Sequence, residues 1–383
     1  MSGPYDPDSF LSRELRPEAK LILCCARTHV GPEMVGDIQT LSNLPLDWEF
    51  LCASADKHRL TQLLFRNLSA FSPESMPAEI RARLRHQFHS NAGSNLRLAR
   101  TQMGLQQRFS AEAIPAIPFK GSILACGTYG KLALRQYYDI DLLIRSQDVE
   151  KSEHLLERAG YVCDEVFDGE ARYKHVKEPV EVDLHWGFTP RYFHLAVDFD
   201  ELYARARRES LLGQPVITFS AEDFLEILCV QVVKDCWERQ QQLEHLSKVC
   251  DIAEHLRANP RIEWPRVLER ARRKGLERIL HCALALACRL LQAELPNEVL
   301  SEVDSDRRAL TCARAMCRSL FTETDSLSPL ANPYLSIRLR IRQLRFYLEI
   351  RERYRDRIKH VVEILKGPLE STLVARSRPA TDQ

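Results

Sequence analysis

Apolar positions along the chain follow two different periods. Leu51, Ala55, Leu60, Leu63, Leu64 and Leu68 recur near helical spacing, and residues 78–108 form a longer amphipathic stretch, so helices are predicted from residue 17 to about 112. From Ile114 to Trp186 the pattern changes to short runs with strand character set among helices. Ile117-Pro118-Phe119 is such a run; Lys120-Gly121-Ser122 breaks it, and Ile123-Leu124-Ala125-Cys126 resumes as helix. Val149 to Ala159 reads as a helix stopped by Gly160, with Tyr161-Val162-Cys163 opening the next strand. Between Val180 and Trp186, alternation sets Val180, Val182, Leu184 and Trp186 on one face and Glu181, Asp183 and His185 on the other. Helical spacing returns at Ser220, where Ser220-Ala221-Glu222-Asp223 forms a capping box for a helix running to Trp237. The expected architecture is α+β. A small mixed-sheet core at 113–215 lies between helical segments at 17–112 and 216–366, with a flexible start at 1–16 and a disordered tail at 367–383.

The polar residues of the central region carry the candidate chemistry. Asp139 and Asp141 flank Ile140 in the apolar run Asp139–Ile144, so on a strand both carboxylates leave the same face. Adjacent carboxylates repel, and paired oxygen ligands of this kind suit Mg²⁺ carrying a substrate phosphate. Asp183 adds a third carboxylate on the polar face of its own strand, beside His185. Gly121 permits close approach of the backbone to a ligand at a helix start, where free N–H groups favour phosphate.

Charge and cysteine content narrow the rest. With 54 basic and 53 acidic residues the net charge is +1, which gives no global footprint for nucleic acid. A basic stretch from Arg338 to Arg357 is interleaved with Leu335, Ile337, Leu339, Ile341, Leu344 and Leu348. It reads as an amphipathic helix with a solvated side; an RNA-binding face is the minority alternative. The twelve cysteines are scattered through helical segments without paired metal-ligand spacing, so reduced packing thiols are expected and no cysteine zinc site. His58, among leucines, reads as a buried structural histidine. The first residues lack a basic and apolar leader, and the longest apolar run, Ile279 to Leu291, is interrupted by His281 and Arg289. No membrane span and a cytoplasmic location are the expectation.

Taken together, Lys120-Gly121-Ser122, Asp139-Ile140-Asp141 and Asp183 resemble the signature of the DNA polymerase β-type nucleotidyltransferase superfamily. More closely, Lys120-Gly121, Arg135, the Asp139/Asp141 pair and Asp183-Leu184-His185-Trp186 resemble a bacterial family of uncharacterised nucleotidyltransferases. The resemblance extends to Asp47-Trp48, Ala55, His58, Leu63-Leu64, Leu228-Cys229, Lys234, Trp237 and Asp251-Ile252-Ala253. Gln231 and Asp235 stand where many members carry histidine, so an imidazole contact with substrate is not expected there.

What the resemblance implies is an enzyme that moves a nucleoside monophosphate from a nucleoside triphosphate to a hydroxyl and releases pyrophosphate. Asp139, Asp141 and Asp183 would hold two Mg²⁺ ions, or Mn²⁺, with Asp183 helping to deprotonate the acceptor. Gly121 and Ser122 would bind the β and γ phosphates, with Lys120, Arg135 and Lys234 as cationic partners. Lys120 and Arg135 read equally as surface-pairing residues, and His185 either orients a carboxylate or satisfies its own hydrogen bonds. Members are often encoded among biosynthetic genes, which implies a tailoring role on a small-molecule, peptide or protein acceptor. The alternatives are a toxin-type transferase acting on tRNA and a non-catalytic nucleotide-binding protein. Acceptor, preferred base and oligomeric state are not written in the sequence.

Overall fold

Alternation at Asp139–Asp141, Glu170–Lys174 and Glu181–His185 builds a sheet with one apolar face and one that carries charge. A computed structural model describes residues 7–189, 198–238, 242–322, 341, 344–354 and 357–358. Its main sheet contains β1 (Ala116–Phe119), β2 (Asp139–Ile144), β3 (Tyr161–Phe167), β4 (Glu170–His175) and β5 (Glu181–His185), in the spatial order β1-β2-β5-β4-β3. Only the β2–β5 pair is parallel. Its register sets Asp141 opposite Asp183, and β4 sets Arg172 opposite Asp183 and Glu170 opposite His185. Because side chains alternate, these polar residues share one face with Asp139.

The other face is apolar. Ile140, Leu142 and Ile144 of β2, Val182 and Leu184 of β5, and Ala171 and Tyr173 of β4 form one buried cluster. It also takes in Leu98, Leu105 and Phe109 of the helix Ala78–Ala111, and Leu155 and Leu156 of the helix Val149–Arg158. Trp186 packs against this cluster, as alternation predicts. The helix Val149–Arg158 stops where predicted: Gly160 has φ +90°, and a side chain there would meet the His175 ring at 3.0 Å.

Helices flank the sheet on either side in sequence. Before it lie Pro7–Leu11, Pro17–Cys25, Pro32–Ser42, Trp48–Lys57, Thr61–Phe71 and Ala78–Ala111. After it come a short helix Phe199–Ala204, a hairpin of β6 (Arg207–Leu211) and β7 (Gln214–Thr218), and the helices Ala221–Glu238, Ser247–Ala258, Trp264–Lys274, Glu277–Leu291, Asn297–Ser305 and Arg307–Met316. Half of the predicted capping box forms: Ser220 Oγ accepts from the Asp223 N–H at 3.1 Å, while the Asp223 carboxylate takes the Ser220 hydroxyl at 2.8 Å in place of the Ser220 backbone N–H. Residues 7–11, within the stretch expected to be flexible, are helical, and Phe10 and Leu15 anchor them in the core.

The leading and trailing helices share one buried cluster, which also receives Ile117, Phe119 and Leu143 from the sheet. Asn67 donates to the Cys25 and Arg27 carbonyls at 2.8 and 2.9 Å, and Thr28 N donates to Glu254 at 3.2 Å. Nine of the cysteines are buried and all twelve are free thiols. His58 is buried against Phe321, their ring centroids 4.8 Å apart, and burial lowers its pKa to about 3. Among the described residues no helix is long and apolar enough to cross a membrane. The predicted tail at 367–383 and Arg338, Arg340, Arg342 and Arg355 of the basic stretch lie outside the described residues. Residues 344–350 are helical, with Phe346, Tyr347 and Ile350 buried.

Candidate active site

The charged face of the sheet brings ionisable side chains from β2, β4 and β5 together with Lys120. Asp141 is buried and accepts from Lys120 Nζ at 3.0 Å, and His185 Nε2 lies 3.1 Å from the same oxygen. The other ring nitrogen of His185 lies 3.0 Å from Glu170 Oε2, off the hydrogen-bonding axis. Ligand atoms of Asp141, Asp183 and His185 fall within 4.8 Å of one another. Asp183 also meets Arg172 Nε at 3.2 Å.

These neighbours give the three aspartates different acidities. Burial opposes ionisation of Asp141, but the Lys120 charge and the His185 hydrogen bond outweigh it and hold the carboxyl well below the usual range. Asp139 feels the Lys120 and Arg135 charges, but without a hydrogen bond, and they do not offset its surroundings. Burial, Asp141 and Asp183 push it up to about 6, and no side chain among the described residues donates to it. Asp183 is raised as well, by burial and then by Asp141. His185 moves the other way from a typical buried histidine: burial disfavours the imidazolium, yet Asp141 and Glu170 raise its pKa. Glu170 is held at about 2, because His185, Lys234 and Lys120 overcome its burial.

The turn before the site is conformationally special. Lys120 has φ +55° despite its side chain, and Gly121 follows at φ +35° as the first residue of the helix Gly121–Gly127. A Cβ on Gly121 would sit 3.4 Å from the Asp139 carbonyl and 3.5 Å from the Tyr137 ring. Strain of this kind persists where the surroundings fix it, here between β1 and β2. It swings the Lys120 ammonium onto Asp141.

Of the sequence-selected residues, Asp139, Asp141, Asp183, Lys120, Gly121 and His185 come together on this face. Lys234 is adjacent: its charge acts on Glu170, and its Nζ lies 3.5 Å from Asp235. Asp235 is also paired with Lys248 and feels Lys120, so three lysines converge there. The Ser122 hydroxyl is buried and donates to Gln102, leaving only its backbone to face a ligand. Arg135 is bound through Nε and Nη2 to Asp251 at 2.8 and 2.9 Å, and Tyr129 donates to Asp251 at 2.7 Å. Its charge still reaches Asp139.

Sequence reasoning passed over Glu170, Arg172 and Lys248, and noted Asp235 only as standing where family members carry histidine. For Glu170 and Arg172 a signal existed: in Glu170–His175 the apolar Ala171 and Tyr173 alternate with charged positions, the mark of a strand with one solvent- or ligand-facing side. Asp235 and Lys248 sit on two different helices, and only tertiary packing brings them together.

The model of the family described as uncharacterised nucleotidyltransferase matches residues 45–292, and the chain belongs to that family. It is therefore a transferase of nucleotidyl groups whose donor is a nucleoside triphosphate. Among solved structures the chain is similar to the antibiotic-resistance factor ANT(2″)-Ia in solution. Identity there is 17%, coverage is 46% of this chain and 94% of that one, and the TM-score is 0.33. No curated protein sequence matches.

Proposed function

We propose that the protein is an Mg²⁺-dependent enzyme that transfers a nucleoside monophosphate from a nucleoside triphosphate to an acceptor hydroxyl. The observation that carries this reading is the in-register triad: Asp141 opposite Asp183 across the parallel pair, with Asp139 on the same face and without a donor of its own. Hard oxygen donors of Asp141 and Asp183 within 4.8 Å of each other, with Asp139 on the same face and raised to about 6 by burial and then by those two charges, fit a divalent cation better than they fit each other. Asp139 and Asp141 would hold the ions, with Asp183 completing the set. Bound Mg²⁺ supplies charge neutralisation for the phosphoryl oxygens and for the attacking and leaving oxygens.

The chain's own groups do the remaining work. Asp183, raised by burial and by Asp141, is the group placed to accept the proton of the acceptor hydroxyl. Lys120, Lys234 and Lys248 form a cationic bank beside the carboxylates, suited to the polyphosphate tail that leaves as pyrophosphate. His185 and Glu170 fix the orientation of Asp141. Arg135 contributes through its field and its grip on Asp251 rather than by touching phosphate. The acceptor is a small molecule, peptide or protein, in keeping with a tailoring role.

The test is transfer of label from α-labelled nucleoside triphosphates into pooled small-molecule and peptide acceptors. Wild type with Mg²⁺ should label an acceptor, and Asp183→Asn should lose at least about a hundredfold in rate while still binding nucleotide. Equal labelling by the variant would remove Asp183 from the mechanism. Nucleotide binding without pyrophosphate release from any pool would favour the non-catalytic alternative.

A further inference from the structure

The junction of the helices Glu277–Leu291 and Asn297–Ser305 carries a second group of ligand-type side chains, and we propose that it is a zinc site. Glu277 and His281 are one helical turn apart, so their side chains share a face, and Glu302 approaches from the neighbouring helix. One ligand atom from each lies within 4.8 Å of the other two.

The two glutamates alone are accounted for by an ion pair. Arg272 bridges them, with Nε 2.7 Å from Glu277 and Nη2 2.8 Å from Glu302. His281 is not accounted for in this way. It is 5% exposed; its Nδ1 lies 3.3 Å from Asp306 Oδ2, while its buried Nε2 has no hydrogen bond. Glu302 Oε2 lies 3.9 Å from Nε2, beyond hydrogen-bond reach. Asp306 is itself fixed, since its other oxygen accepts from the Ala309 N–H at 3.0 Å. A ring anchored at Nδ1 by a held carboxylate, with Nε2 left toward Glu302 and Glu277 within the same 4.8 Å group, is the arrangement that orients a metal-binding imidazole. A buried ring nitrogen without a partner is costly, and a cation between it and the glutamates removes that cost.

The donor set chooses the ion. One imidazole nitrogen with two carboxylate oxygens suits Zn²⁺ with an open fourth position, whereas Mg²⁺ and Ca²⁺ prefer oxygen alone. The side chain of Arg272 is 52% exposed and free to swing outward as the ion enters, so the arginine acts as a competing cation. This site shares no residue with the aspartate triad and does not depend on the nucleotidyl-transfer reading.

The full chain carrying Asp139→Asn and Asp141→Asn, which silences the first metal site, is titrated with Zn²⁺ and with Co²⁺. One equivalent should bind, raise Tm and, for Co²⁺, develop visible d–d absorption. Glu302→Gln and His281→Gln should each weaken binding at least tenfold, and Arg272→Ala should tighten it. Glu302 lies near the surface, so its variant reports even where His281→Gln fails to fold. Absence of Zn²⁺ stabilisation would overturn the proposal, as would binding that is the same in Glu302→Gln and Arg272→Ala as in their parent, which would assign the metal to thiols.

Discussion

Asp139 and Asp141 stand two positions apart on one strand, yet their surroundings drive them in opposite directions. Lys120 and His185 outweigh the burial of Asp141, whereas the charges of Lys120 and Arg135 do not outweigh the burial and like charges around Asp139. For Asp139 the folded-state pKa, about 6, lies above its ordinary value of 3.8. The sign follows from proton linkage. The neutral carboxyl contributes stability that is complete below about pH 4 and is lost as pH rises through about 6. At pH 7 the ionised group therefore works against the fold. Asp139→Asn should raise the unfolding free energy of the metal-free protein at pH 7 by about 1–3 kcal/mol and flatten its pH dependence between 4 and 6, while abolishing transfer. Denaturant titrations at several pH values check this. A less stable variant would mean that Asp139 is compensated by a partner after all.

At the scale of elements, one buried ionic contact between the sheet region and the trailing helices is the Arg135–Asp251 pair. Arg135 lies in the segment leading into β2, and Asp251 on the helix Ser247–Ala258; both side chains are largely buried. Removing one partner of such a pair strands a buried charge, so Arg135→Met should cost about 3–5 kcal/mol, and Arg135→Met with Asp251→Leu should recover most of it. Thermal unfolding of the single and double variants decides. Unchanged stability with a raised KM for nucleotide would instead make Arg135 a phosphate ligand. Both residues stood out in the sequence, each in its own motif, but 116 positions apart nothing in the spacing says that they meet. The same limit hid the pairing of Asp235 with Lys248. Ser122 illustrates the converse: the Lys120-Gly121-Ser122 turn was legible, but the hydroxyl's partner, Gln102, lies on the long helix Ala78–Ala111.

For the molecule as a whole, the change from helical to strand period near residue 114 and back near 220 was sufficient to place the sheet between helices, because period depends on local backbone geometry. The charged face followed from alternation at Asp139–Ile144 and Val180–Trp186, and the parallel register that sets Asp141 opposite Asp183 completed it. The merging of leading and trailing helices into one core was not legible, since amphipathic faces do not name their partners. The proposed site for a magnesium nucleotide lies on that charged face, at the paired aspartates of β2. Its most direct test is the thermal stability of wild type and of Asp139→Asn/Asp141→Asn with each of the four ribonucleoside triphosphates, with and without Mg²⁺. Ligand at about a hundred times its dissociation constant adds roughly 2.7 kcal/mol. A Mg²⁺-dependent rise in Tm with at least one triphosphate, lost in the double variant, is the expected result. A rise that the double variant retains, or no rise with any triphosphate, would contradict the account.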